Sequence, residues 1–349
     1  MIVDKNYCMS SYLMFRTIAD PNRCFAQGVL PNLWNENRNL AMVKNGEELI
    51  EALRKRIEVA CEGKSRIALA LSGGIDSAVL AKLVPKDTTA YTFKCIVPGV
   101  QVKDETPGAA KFAKECGLDH RVIEITWEDC EKYAPVLMKH KGAPIHSIEI
   151  QIYKAALQAK EDGHDLFIFG ESSDLNYGGL SDLMSKDRTV GEFIDRYNYV
   201  QPYHALRNPV FIMEPYKRYV LDNGYFDTHE FCRNFFLREA MGSYSNACEC
   251  AGIQLETPYV HTWLAEDIDL NRIRAGENKY VVREAFASLY PGFEPAPKTP
   301  MPRPMDEWMS GWNGPKREEF WPNCCTGMTG DQKWMLYALE TFLNMLDEA

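Results

Sequence analysis

Ile67-Ala68-Leu69-Ala70-Leu71-Ser72-Gly73-Gly74-Ile75-Asp76-Ser77 is the stretch that decides the fold. The apolar run, bounded upstream by Lys64-Ser65-Arg66, reads as a strand buried on both faces. Ser-Gly-Gly-Ile-Asp-Ser follows without a gap, and an apolar helical pattern comes next. Strand, anion-binding turn and helix N-terminus are thereby written in order. Gly73 and Gly74 admit dihedrals and a close ligand approach that a Cβ blocks. Ser72 and Ser77 add hydroxyls, the free N–H groups of the turn face an anion, and the helix beginning near Asp76 adds the positive end of its dipole. Asp76 is the odd member, since a carboxylate repels phosphate. A divalent cation between them removes the conflict, and Mg²⁺ held by one or two carboxylates plus phosphate oxygens is its usual form. The pattern implies a loop that grips the pyrophosphate of ATP, and so a reaction that cleaves ATP to AMP. An ordinary glycine-containing turn accounts for Gly-Gly alone, but not for the whole hexapeptide in this position.

Strands and helices alternate outward from this point. A helix is expected over 47–60, from Leu49, Leu53 and Ile57 at helical spacing with Ile50 beside them. The strand at 67–71 feeds a helix over 76–84, stopped by Pro85. Strand 91–97, helix 105–116 (closed by Gly117), strand 120–126, a helix within 148–161 and strand 165–169 follow. This alternation predicts an α/β fold: a parallel sheet with helices on both faces, and a helical C-terminal part. In such sheets ligands bind outside the carboxyl ends of the strands. One such end is Phe167-Ile168-Phe169-Gly170-Glu171-Ser172-Ser173-Asp174, followed by Tyr177-Gly178-Gly179. By itself this is a turn-rich surface loop. Paired with the first motif, it places Asp174 near the cation of Asp76.

Composition bounds the rest. At 349 residues the chain can bury a large core. A net charge of −10 opposes non-specific nucleic-acid binding. With no apolar run of about 18 residues and no signal-peptide pattern in Met1-Ile-Val-Asp-Lys-Asn, a cytoplasmic protein with no membrane partner is expected. The 11 cysteines include no Cys-x-x-Cys pair. Cys248-x-Cys250 and Cys324-Cys325 are spaced poorly for zinc, and an odd count argues against a disulfide framework.

The loop is not of the Walker type. It resembles the PP-loop of the ATP pyrophosphatase superfamily, which includes asparagine, NAD, GMP and argininosuccinate synthetases and tRNA-thiolating enzymes. Gly170-Glu171-Ser172-Ser173-Asp174 with Gly178-Gly179 looks like the Ser-Gly-Glu-Gly-Ser-Asp-Glu segment of asparagine synthetases, and Asn278-Lys279-Tyr280-Val281-Val282-Arg283-Glu284 is similar to a later family helix carrying Lys and Arg four residues apart. The resemblance covers roughly residues 47–290. It implies a synthetase domain in which a carboxylate is adenylated and passed to ammonia or an amine, with ATP and Mg²⁺ required. It implies an ATP-binding set of Leu71, Ser72, Gly73, Gly74, Asp76, Ser77, Cys95, Gly170 and Ser173. Asp76 and Asp174 would hold the metal, and Lys279 and Asp174 would be catalytic. Arg283 either supports Lys279 or pairs with Glu277 or Glu284.

There are departures from the family. Residue 2 is Ile rather than the catalytic Cys of glutamine-dependent members, and no glutaminase domain fits the sequence before residue 45, so ammonia from solution, a separate ammonia-supplying subunit, or a substrate amine is expected as nitrogen source. Leu175 stands where the family has a Glu that handles the acceptor nitrogen. Thr257 sits near the position at which the family has a substrate-side Arg, which resembles members using other acyl and amine substrates, such as β-lactam-forming ones. Expected domains are an N-terminal segment 1–44, irregular and packed on the core, the synthetase domain 45–292, and a segment 293–349. The last part is rich in Pro and Trp, including Pro295, Pro297, Pro300, Trp308 and Trp312, and ends in an amphipathic helix over 331–346. It would cap the acceptor pocket or cover the sheet. Other readings are a PP-loop sulfurtransferase, an NAD-synthetase-like amidating enzyme, and a non-catalytic nucleotide-binding partner protein.

Overall fold

The computed structural model describes residues 1–34, 38–294 and 301–348. At its centre are five parallel strands: β1 (Ile67–Ala70), β2 (Thr89–Cys95), β3 (Asp119–Ile125), β4 (Leu166–Ile168) and β5 (Gln254–Glu256). Their order is β3-β2-β1-β4-β5. The α/β sheet with helices on both faces is therefore as the sequence predicts. Side-chain alternation along a strand separates the two core layers. Leu69, Leu166 and Ile168 face one layer, and Ala68 and Phe167 the other.

The first layer contains α2 (Gly46–Cys61), α3 (Ile75–Ala81), α4 (Thr106–Cys116) and α8 (Tyr280–Leu289). The second contains α1 (Lys5–Phe15), α5 (Trp127–Lys141), α6 (Ile148–Glu161), α7 (Leu237–Ala251) and α9 (Gly330–Asp347). Leu49, Leu53 and Ile57 put the predicted stripe of α2 into the first layer. Each such side chain contributes about 1.5–3 kcal/mol on burial.

Several expectations shift. The helix expected over 76–84 ends at Ala81, where the N–H groups of Leu83 and Val84 both turn back to the Leu80 carbonyl, at 2.9 and 3.0 Å. Strand β2 begins two residues before Tyr91 and stops at Cys95, because the chain then folds into a Val97–Val100 bridge. The segment 1–44 is expected to be irregular, but Lys5–Phe15 within it form a helix. Its helix α1 is capped by the Asp4 carboxylate, which accepts from the Tyr7 N–H at 3.0 Å, and every residue from Tyr7 to Phe15 is buried. A helix buried all round carries no polar stripe, so periodicity does not reveal it. Helix α5 is hidden in the sequence by Pro135, although Thr126 and Asp129 form its capping box.

The C-terminal segment lies over the carboxyl end of β2. The Pro302 carbonyl accepts from Cys95 Sγ at 3.3 Å and Gln151 Nε2 at 3.1 Å, and Trp308 Nε1 donates to the Ile96 carbonyl at 3.4 Å. Pro295, Pro297 and Pro300 lie outside the described residues.

Helix α8 seats on α2 at Gly46. A Cβ there would fall 2.4 Å from the Ala285 nitrogen and 2.7 Å from the Glu284 carbonyl carbon. Gly46→Ala should therefore lower stability by about 1–3 kcal/mol. The readout is a lower urea midpoint at unchanged m-value, while Lys55→Ala on the exposed face of α2 should stay within about 0.5 kcal/mol of the parent.

Candidate active site

Strands β1 and β4 are neighbours, and the chain winds outward from them in opposite directions. The loops after them therefore diverge and leave a crevice at the carboxyl edge of the sheet. Leu71, Ser72, Gly74, Asp76 and Ser77 line it from one side, and Gly170, Glu171 and Asp174 from the other. Asn278, Lys279 and Arg283, from the start of α8, complete it.

The PP-loop is held by its own serines. The Ser72 N–H donates to Ser77 Oγ at 3.0 Å, the Gly74 N–H donates to Ser72 Oγ at 3.1 Å, and the two hydroxyls lie 3.0 Å apart. Gly74 caps α3 in extended conformation. Neither Gly73 nor Gly74 uses a positive φ, so the freedom expected of them as dihedral freedom is spent on proximity. Helix α4 presses on the loop so closely that a Cβ on its Gly108 would lie 3.0 Å from Gly73 Cα.

Lys279 is the centre of the charge arrangement. Its Nζ lies 2.5 Å from Asp76 Oδ2 and 2.7 Å from Asp174 Oδ1, and the residue is 3% exposed. Burial pulls the pKa of the ammonium down, but the Asp76 and Asp174 charges outweigh it and the net shift is upward. Ser173 Oγ donates to Asp76 Oδ1 at 2.7 Å, which fixes the other carboxylate oxygen. Gly179 leaves room for this triad: a Cβ there would fall 1.8 Å from Asp174 Oδ1 and 2.4 Å from Lys279 Cε. Lys279 is not within a helix. It is the left-handed residue before α8, with φ of 55°. Asp76, at the start of α3, and Asp174, in the helical turn Ser173–Asn176, converge, and their oxygens suit a hard divalent cation. Among the described residues no group of three or more His, Cys, Asp or Glu is placed to hold a metal ion by itself.

Two further carboxyls line the crevice. Burial raises the pKa of Glu171, reinforced by Asp174 and offset by the Ser172 N–H and by the Tyr244 hydroxyl, which hydrogen-bonds to it. Burial pushes Glu105 up to about 7, with neighbouring Asp104 adding to it and Lys103 opposing it. The sequence marked Glu171 only as part of its segment and did not mark Glu105 or Tyr244.

The placements otherwise divide. Leu71, Ser72, Gly74, Asp76, Ser77, Gly170, Asp174 and Lys279 line the crevice, Ser173 is buried behind Asp76, and Gly73 packs on α4. Cys95 does not belong with them. It is 1% exposed, its thiol is turned to the Pro302 carbonyl, and burial pushes its pKa up to about 12. Its place in the candidate set is corrected on that ground. Leu175 is a buried core residue, and Thr257 is buried with its hydroxyl against Met241 Sδ at 3.6 Å. Arg283 turns back on Asn278, donating to its carbonyl and to Oδ1 at 2.7 Å each, while Glu277 and Glu284 pair with Arg272. Met301 brings the C-terminal segment to the edge of the crevice.

The family described as asparagine synthase matches residues 48–317. A Methanocaldococcus jannaschii protein named for a glutamine-hydrolysing asparagine synthetase is 26% identical over 138 residues, which is 39% of this chain and 25% of that protein. The match thus spans about a quarter of that relative's length. Among solved structures, an NH3-dependent NAD synthetase from Campylobacter jejuni aligns at 18% identity over 39% of this chain and 61% of its own, with a TM-score of 0.27. An NMN synthetase from Francisella tularensis aligns at 13% identity over 71% of this chain and 94% of its own, with a TM-score of 0.30.

An acid whose folded pKa lies above its unfolded one favours folding at low pH and opposes it once ionised. The burden of Glu105 should therefore grow as pH rises from about 4.5 through about 7. Glu105→Gln should gain stability over the parent at pH 8 and little at pH 5, as read from urea midpoints at the two pH values.

Proposed function

This chain belongs to the asparagine synthase family, and on that premise we propose that it is an ATP-dependent, AMP-forming carbon–nitrogen ligase. The observation that carries the reading is the Lys279 ammonium, buried between Asp76 and Asp174 at the mouth of the PP-loop. A permanent cation beside an anion-binding turn is what stabilising negative charge on transferring phosphates calls for. The Ser72 and Ser77 hydroxyls face the pyrophosphate part of ATP, while the Ser72 and Gly74 N–H groups hold the loop in shape. Mg²⁺ held by Asp76 and Asp174 would neutralise charge on the leaving pyrophosphate.

The reaction has two steps. An oxygen of the substrate carboxylate bonds to the α-phosphorus of ATP, the bridge between the α- and β-phosphates breaks, and pyrophosphate leaves with the electron pair. Ammonia or an amine then attacks the acyl carbon, and AMP departs with the electrons of the acyl C–O bond. The proton released by the nitrogen passes to Glu171, whose raised pKa and place in the crevice suit a base. Tyr244, hydrogen-bonded to Glu171, orients that carboxyl. With Leu175 buried and apolar, Glu171 supplies the carboxylate that position 175 lacks. Positioning the reactants makes up the remainder of the catalysis. Ammonia from solution or from a separate subunit would serve as well as a substrate amine. No described helix is long and apolar enough to cross a membrane.

The test is pyrophosphate release from ATP and Mg²⁺ across a panel of carboxylic acids, with and without ammonia. Acid-dependent release is expected, with AMP as co-product. Lys279→Ala should lower kcat by about 10²–10³-fold, and Asp76→Ala should abolish release. ADP as product, or release indifferent to both substitutions, would refute the reading.

A further inference from the structure

A second recess adjoins the nucleotide crevice. Asn278 lines both, and Gly179, packed against Asp174 and Lys279, lies at the near end of the recess. The recess therefore opens at the end of the crevice occupied by Asp174 and Lys279. Its walls are Leu180, Leu183, Tyr197, Tyr199 and Phe236. These come from residues 180–236.

The aromatic walls are rigid. Tyr197 stacks on Phe193 with centroids 5.3 Å apart and planes 12° apart, and it meets Phe231 and Phe236 edge-on at 4.8 and 5.6 Å. Tyr199 is covered by the Arg16 guanidinium, 3.8 Å from its ring centre, which also donates to its hydroxyl. Arg16 is in turn paired with Glu239 at 3.1 Å. It caps the carboxyl end of α1 and lies outside the family match, so the wall is fixed by a part of the chain that the family does not supply. Walls held in place before binding spare a ligand the entropy of ordering them.

The charge around the recess is balanced. Its two charged members, Arg196 and Asp182, are exposed and stand 3.8 Å from each other. A small dicarboxylic amino acid such as aspartate would bring an ammonium and an extra carboxylate against walls whose only charged pair is already matched, which is unfavourable. A flat ring gains from edge-to-face and stacked contacts with such walls.

We propose that this recess binds the body of the carboxylate substrate, and that this body is an aryl or similarly flat apolar group. Its carboxylate projects past Gly179 and Asn278 to the Lys279 side of the crevice. The assignment rests on the adenylating reading above, and the test separates the two.

The experiment is ATP–pyrophosphate exchange on the full chain with 3-phenylpropionate, phenylacetate, acetate and aspartate as probes. The aryl acids should exceed aspartate about ten-fold in kcat/KM. Phe236→Ala should raise the KM for 3-phenylpropionate about ten-fold, equivalent to about 1.4 kcal/mol, and leave the KM for ATP unchanged. Should that variant not fold, Leu180→Asp on the partly exposed wall gives the same readout. Exchange driven by aspartate or acetate as well as by aryl acids, or an unchanged aryl KM in the variant, overturns the recess proposal and leaves the adenylating reading standing. If no acid drives exchange, saturation-transfer NMR of 3-phenylpropionate decides. A transfer signal present in the parent and absent in Phe236→Ala retains the recess as an aryl site and overturns adenylation. No signal in the parent overturns both.

Discussion

An ammonium ion that is 3% exposed cannot stand in a protein without counter-charge, and Lys279 meets that constraint with Asp76 and Asp174. Each of the three residues comes from a different part of the chain. Asp76 sits at the start of α3, Asp174 in the helical turn Ser173–Asn176 after β4, and Lys279 just ahead of α8. The ion triad therefore pins the two loops of the switch point to a helix that also anchors the first core layer. Its geometry leaves no slack at Gly179, where one extra carbon would strike both Asp174 and Lys279.

Backbone strain gathers at the same place. Four described non-glycine residues have a positive φ: Arg16, Ser172, Lys279 and Asn323. Ser172 and Lys279 belong to the crevice loops, and Arg16 stands behind the aromatic wall. A left-handed side-chain-bearing residue costs on the order of 1–3 kcal/mol and persists where its surroundings hold it. Arg16 is held by Glu239, by His146 Nε2 at 2.7 Å and by Tyr199. Burial, with Arg16 beside it, drives the His146 pKa far down, so the imidazole is neutral and accepts that bond. A second buried charge group thus ties α1 to α7 and the crevice wall, as the first ties the loops to α8.

The legible parts of this protein were those in which function and local backbone share one short segment. The hexapeptide at Ser72–Ser77 announces strand, turn and helix at once, and the run from Gly170 to Asp174 does so for the second loop. Helix α1 was not legible because it is buried on all sides, nor α5 because Pro135 interrupts its pattern. Cys95 was misplaced because position along β2 does not reveal which way its side chain turns; Pro302, more than 200 residues later, takes up the thiol. Glu105 and Tyr244 carry no motif of their own, and only packing brings them to the crevice.

By itself the sequence determined the parallel α/β sheet and the strand, turn and helix around Ser72–Ser77, because hydrophobic periodicity and turn chemistry act over a few residues; Lys279 was marked only by the family resemblance of residues 278–284. The tertiary structure alone decided that Lys279 is shared by both carboxylates, that Glu171 is paired with Tyr244, and that an aromatic recess opens beside them. Those are contacts between segments about 30 to 200 residues apart. Their distances follow from how the sheet orders its strands and how helices seat on it, and local propensity carries no record of either.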